Sequence, residues 1–192
     1  MDRRVKYTKM IIRETFINLL EKKSINKITV SEICKEADIN RATFYRYYLD
    51  VYDLYDKVRD EFVVKLMGSI KTNNNNNNNI YTVSSYSRGL LETLISDKKL
   101  TKILFNTSDG MGTFLNDILE ITYDNCYKKW KNDYPDLDDE DISYASIFIF
   151  NGALGIINYW VKNDFEQDID YISNIIERLS YSGIKKFIYK DN

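Results

Sequence analysis

The stretch Ile28-Thr29-Val30-Ser31-Glu32-Ile33-Cys34-Lys35-Glu36-Ala37-Asp38-Ile39-Asn40-Arg41-Ala42-Thr43-Phe44-Tyr45-Arg46-Tyr47-Tyr48 encodes two short helices, each with its own start signal, and a tight turn between them. Thr29 and Glu32 form a capping box, in which the threonine oxygen takes the Glu32 amide and the carboxylate reaches back. A helix therefore starts at Val30. Val30, Ile33, Cys34 and Ala37 share one face at i, i+3, i+4 and i+7. Asp38 tolerates the left-handed conformation that ends a helix, and Asn40 is an N-cap for a second helix from Arg41 to about Tyr47. That helix turns Phe44 and Tyr48 inward. Arg41, Ala42, Thr43, Tyr45 and Arg46 are left outward, a set suited to DNA. The whole is a helix-turn-helix.

The capped threonine, the Ala-x-Ile-Asn turn, the Thr-Phe-Tyr and a further aromatic before another capped helix resemble the DNA-binding domain of the tetracycline-repressor (TetR) family. The resemblance runs from about Ile12 to Leu54, with Ile12, Thr15, Phe16, Leu19 and Leu20 as the apolar face of the family's first helix and Asp50-Val51-Tyr52-Asp53-Leu54 as the start of its fourth. It implies that Thr29, Arg41, Ala42, Thr43, Tyr45, Arg46 and Tyr47 touch DNA. Two departures stand out. Leu49 and Val51 occupy positions where the family carries phosphate-binding lysines, and Asp38 replaces the usual turn glycine.

Charge follows the same division. Residues 1–48 hold eleven Lys/Arg against six Asp/Glu, a balance of +5, so the rest of a chain with net charge −2 carries −7. A basic head on an acidic body confines phosphate contacts to the head. A basic helix alone is ordinarily a solvated face, and the adjoining helix-turn-helix reverses that reading here. Cys34 and Cys126 are far apart and lack a disulfide pattern, so both read as core packing in a reducing cytoplasm. The charged N-terminus lacks a signal-peptide core. Twenty residues from Ile142 to Val161 carry no charge, the length of a bilayer span. Asn151, Asn158, Ser143 and Ser146 make them costly in lipid, and the acids at 136–141 come without a basic cluster, so the expectation is a bundle helix that also meets another subunit.

Only Pro135 and seven glycines interrupt the helical pattern, and no alternating strand pattern is present, so the expected fold is all-α. Helices are expected at about Val5–Lys23, Asp50–Ser69, Ile80–Ser96, Leu100–Asn106, Gly112–Asn132, Asp141–Asn163 and Ile169–Lys190, besides the two of the motif. The organisation expected is a DNA-binding domain at 1–49, a connecting helix at 50–72, a solvated poly-Asn loop at 73–79 and an effector-binding and dimerisation domain at 80–192. Leu54, Val58, Phe62 and Leu66 should point inward along the connecting helix. Gly152, Ala153 and Gly155 permit close backbone approach, and Ile172, Ile175, Ile176, Leu179 and Ile184 supply a matching apolar face. The last two helices of each subunit should form a four-helix bundle across a two-fold axis, with Gly152, Gly155, Tyr159, Ile172, Ile176 and Leu179 at the interface. The TetR resemblance implies the same arrangement.

With no histidine in the chain, Ser-His-Asp and Cys-His catalysis and His-containing metal sites are excluded, and no Gly-rich phosphate loop is present. An enzyme is not expected, nor a cofactor. The function expected is a dimeric, sequence-specific transcriptional regulator, a repressor released by a small-molecule effector and bound to double-stranded operator DNA. The alternative is a TetR-like co-regulator acting through protein contacts, with weak or no DNA binding, which Leu49 and Val51 favour. Phe105, Met111, Phe114, Tyr123 and Phe148 are candidates for an effector cavity, although aromatics at helical spacing are more often core. That set contains no cation, so the expected ligand is mostly apolar or aromatic, neutral or cationic.

Overall fold

The computed structural model describes residues 3–72, 83–106 and 135–188, together with 114, 123, 127, 128 and 130–132. Among these residues all regular secondary structure is helical: α1 (Arg3–Leu20), a 3-10 turn (Ile25–Lys27), α2 (Val30–Glu36), α3 (Arg41–Tyr45), α4 (Val51–Thr72), α5 (Val83–Ser96), α6 (Lys98–Asn106), α7 (Asp139–Lys162) and α8 (Ile169–Ile188). The poly-Asn tract, Met111, Cys126 and most of the helix expected over 112–132 lie outside the described residues. The chain divides into two compact units, Met1–Phe62 and Val63–Asn192. The expected connecting helix is thus shared between them, because Leu54, Val58 and Phe62 are buried in the first unit while Leu66 is buried in the second.

In the head, α1 packs on α2 and α2 on α3 around Ile12, Phe16, Leu19, Ile28, Ile33, Cys34, Ala37, Phe44 and Tyr48. α1 stops at Leu20, short of the expected Lys23. The Lys22 amide already bonds Leu19 O in a tighter 3-10 geometry at 3.0 Å, and the Lys23 ammonium turns away to the Glu32 carboxylate at 2.5–2.6 Å. Lys23 holds the Glu32 carboxyl below its ordinary value, with the Thr29 amide a smaller contributor. Burial pushes the Cys34 thiol up, which keeps it neutral inside this core.

In the body α5 packs on α6 and α8, and α7 on α6 and α8. Leu91, Leu94, Leu100, Leu104, Phe105, Ile142, Ile149, Ile157, Trp160, Ile172 and Ile176 are buried. Two buried hydroxyls donate to backbone carbonyls, Thr101 to Leu94 O at 2.8 Å and Ser146 to Ile142 O at 2.7 Å. α7 begins two residues before the expected Asp141 because the Asp138 side chain accepts the Glu140 amide, and Asp139, Glu140 and Asp141 fill the first turn, where negative charge meets the positive end of the helix. The turn from α7 to α8 places Asp164 and Phe165 at φ of 58° and 57°, a left-handed pair that costs side-chain-bearing residues about 1–2 kcal/mol each. What offsets it is visible. Phe165 is buried edge-on against Trp160 at 4.9 Å under the Lys98 ammonium, Trp160 Nε1 donates to Gln167 O at 2.7 Å, and Lys102 pairs with Asp164 at 2.5 Å.

Candidate nucleic-acid interface

The N-terminal turn of each motif helix is built as its sequence requires. Thr29 Oγ1 accepts the Glu32 amide at 3.2 Å and opens α2. α2 closes on Ala37, after which Asp38 stands at φ 51° and the Ile39 amide donates back to Cys34 O at 3.0 Å, the Schellman pattern that glycine usually serves. Asn40 Oδ1 then takes both the Thr43 amide at 2.7 Å and the Thr43 hydroxyl at 2.9 Å. α3 is left with one buried ring, Phe44, packed against the rings of Tyr45 at 5.6 Å and Tyr48 at 5.5 Å. These contacts fix how α3 rolls.

The roll leaves Arg41, Ala42, Tyr45 and Arg46 exposed and Thr43 and Tyr47 half-buried, with Thr29 exposed at the start of α2. Their local roles differ. The Thr43 hydroxyl is occupied by its cap, which leaves the methyl as the part of the side chain with no polar commitment. The Arg41 guanidinium donates to the Ser31 hydroxyl on α2, which braces it across the motif. Arg46 makes no side-chain hydrogen bond or ion pair among the described residues, so its guanidinium donors are uncommitted there. Ser31 was not a residue that spacing could single out, since nothing local ties it to Arg41.

Where α4 begins, Asp50 Oδ1 accepts the Asp53 amide at 2.8 Å and Asp53 Oδ2 accepts the Leu49 amide at 2.9 Å. Lys57 completes the corner, reaching Asp53 at 2.8 Å and Tyr47 O at 3.2 Å. Lys57, and after it the Leu49 amide, hold the Asp53 carboxyl below its ordinary value. Leu49 itself is 78% exposed and Val51 is buried, so neither offers phosphate a donor from its side chain. The two positions where the resemblance implies lysine carry hydrocarbon, and Lys57 is the cation at this corner.

Two family models meet this geometry. The one for bacterial regulatory proteins of the tetR family matches residues 12–57, which contain the whole motif, and the one for a transcriptional regulator C-terminal region matches residues 81–182, more than half the chain. The chain belongs to the TetR family of transcriptional regulators. No protein of curated function matches the sequence. Among solved structures it is similar to the dihydroxyacetone kinase operon activator DhaS, at 19% identity over 93% of this chain and 96% of that one with a TM-score of 0.65. It is also similar to the fatty acid degradation regulator FadR of Bacillus halodurans, at 18% identity, 90% and 94% coverage and a TM-score of 0.67. FadR of Bacillus subtilis, in complex with stearoyl-CoA, gives 20% identity, 91% and 98% coverage and a TM-score of 0.62. At such identities the likeness concerns the fold.

The TetR-family body sorts the remaining candidates. Phe105 and Phe114 meet edge to face at 5.8 Å and are fully buried. Tyr123 stacks on Tyr127 at 5.9 Å and donates to Ser143 Oγ at 3.0 Å. Phe148 is 71% exposed, so it lines no interior cavity with them, contrary to expectation. The expected interface set divides by exposure in the single protomer, although Ile172 also borders the groove beside α7. Ile172 and Ile176 are buried inside their own protomer, where α8 faces α5 and α7, while Tyr159 (72%), Leu179 (61%), Gly152 and Gly155 are exposed. Tyr144, Phe148, Gly152, Gly155 and Tyr159 recur at steps of four, four, three and four, a single stripe down α7. Beside it, Gly152, Gly155, Ile156, Tyr159, Tyr171 and Ile175 border an open groove of about 560 Å³. Among the described residues α7 is the one helix long and apolar enough to cross a membrane, with 22% of its most apolar window buried.

Proposed function

We propose that this TetR-family regulator binds a near-palindromic DNA duplex as a homodimer, as a repressor released by a small-molecule effector. The observation that carries the reading is α3 itself: a helix N-capped by Asn40 and locked by Phe44 and Tyr48, which leaves Arg41, Ala42, Tyr45 and Arg46 exposed and Thr43 half-buried. In the major groove Arg46 takes guanine O6 and N7, Ala42 and the Thr43 methyl meet a thymine methyl, and Tyr45, Tyr47 and Thr29 hold phosphates. Arg46→Ala is expected to cost about 1–3 kcal/mol and to relax preference at one base position, whereas Tyr45→Phe weakens all sequences alike. Selection from random duplexes followed by titration checks both. A pool without a two-fold motif, or two variants that bind as the unaltered protein does, would end the assignment of α3.

The stripe on α7 with Leu179 of α8 supports the dimer, because six large apolar side chains on these two helices, Tyr144, Ile147, Phe148, Tyr159, Tyr171 and Leu179, stand in water otherwise. A four-helix bundle between copies buries them, and this accounts for the apolar length of α7 without a bilayer. The effector reading rests on a body larger than dimerisation requires and on the stearoyl-CoA held by one structural neighbour. A ligand beside Phe105 and Phe114 is mostly apolar. It acts through α4, which runs unbroken from head to body, only insofar as it binds one spacing of the heads better than another. Native mass spectrometry of protein purified from its own host is expected to show a retained apolar molecule that shifts DNA affinity. Protein without one, and with DNA affinity unmoved by any apolar compound, favours the co-regulator reading, in which exposed Leu49, Tyr45 and Tyr52 meet a protein.

A further inference from the structure

We propose that the DNA-backbone contact missing at Leu49 and Val51 is supplied by the face of α1 that carries Lys6 and Lys9, beside the C-terminal end of α3. The inference rests on the DNA-binding reading and adds a phosphate-holding surface to it. Lys6, Lys9 and Arg13 lie on one side of α1 at i, i+3 and i+7, so successive turns bring their charges to the same strip. Together with Met10, Tyr48, Lys57, Val58 and Glu61 they line a pocket of about 220 Å³ in the head. Four cations therefore border one hollow whose single acid is Glu61.

The cations are not equivalent. Lys57 is committed to Asp53 and to Tyr47 O, and its ammonium also lies 5.5 Å from the centre of the Tyr48 ring, so it secures the corner that ends α3. Lys9 instead hangs over the Tyr47 ring at 5.7 Å, held by the ring face and by no carboxylate among the described residues. Tyr48 adds no opposing charge. Burial first, then Glu61 and Asp53, push its phenol up to about 12, so it stays neutral. The ammonium of Lys9 thus sits beside the tyrosine assigned to a backbone phosphate, and Lys6 lies one turn nearer the N-terminus on the same strip, exposed. Charge complementarity and continuity with α3 name the occupant as a phosphate of the duplex flanking the bases that α3 reads.

Phosphate contacts and base contacts separate by salt. The full-length protein, Lys9→Ala and Lys6→Ala/Lys9→Ala are titrated with the selected duplex and a scrambled one between about 50 and 200 mM salt. The slope of log affinity against log salt is expected to shrink by about one for the single variant and about two for the double. Selectivity between the duplexes is retained, and Lys9→Arg restores the slope. Arg46→Ala should do the reverse, losing selectivity with little change in slope. Slopes unchanged in both lysine variants, with selective binding by the unaltered protein, overturn the α1 assignment and leave the DNA-binding reading standing. Selectivity lost together with slope in the lysine variants also overturns it, since the residues then serve the motif's shape. No selective binding by the unaltered protein overturns the reading beneath it.

Discussion

Gly155→Leu is expected to leave the protomer folded and to abolish the proposed dimer. A Cβ built at Gly155 meets nothing within 4 Å, so the protomer has room for a side chain there. Within a helix, leucine in place of glycine is favoured by up to about 1 kcal/mol of propensity, so the isolated chain gains stability if anything changes. Only a second copy can object. Forcing a bulky group into a close helix contact costs about 1–3 kcal/mol or more, and the same glycine meets its symmetry mate's surface twice in a two-fold interface. Separating the heads also removes the advantage of joining two half-site binders, about 10²–10⁴ in affinity. Light scattering should show monomer, and titration with a two-half-site duplex should show that loss, while thermal unfolding of dilute protein moves little. A dimer that survives places the interface elsewhere, and a protomer that unfolds means Gly155 serves its own fold.

Phe44→Ala carries the second large effect and acts on the head alone. Phe44 is fully buried and touches the rings on both sides of it, and phenylalanine truncated to alanine in such a place costs about 3–5 kcal/mol. A head of this size, Met1–Phe62, has roughly 3–9 kcal/mol in all. The variant is expected to lose DNA binding to every duplex, with hydrogen exchange fast through α2 and α3 and slow through α5 to α8. Arg46→Ala differs in kind: it loses preference while exchange in the head stays protected. Protection retained in α2 and α3 of the Phe44 variant would show that the motif is held from elsewhere than its aromatic cluster.

Much of the helix-turn-helix geometry was legible in the sequence because its signals are local. A cap acts within three residues, so Thr29, Asn40 and Asp50 mark helix starts without knowledge of anything distant, and Asp38 marks the turn by the one unusual conformation it tolerates. Leu54, Val58, Phe62 and Leu66 read correctly as an inward face for the same reason. The start of α7 was misjudged by two residues because five acids stand in a row of six there and only geometry shows which one accepts an amide.

The sequence by itself determined that this protein is all-helical, that its basic head carries a helix-turn-helix of the TetR kind, and which side chains α3 turns outward. Each of those follows from interactions spanning one or two helical turns. Only the tertiary structure decided what each apolar face is for. Periodicity shows that Ile172, Ile176, Leu179 and Phe148 belong to apolar faces, yet burial sends Ile172 and Ile176 into their own protomer and leaves Leu179 and Phe148 outside. The hydrophobic effect is non-directional, so a stripe of isoleucines carries no label for its partner, and helices distant in the chain must pack before that partner exists. The same holds for Lys9 and Lys57: their placement around Tyr47 joins α1 and α4 to the end of α3 across tens of residues and ten residues respectively, where no local spacing rule reaches.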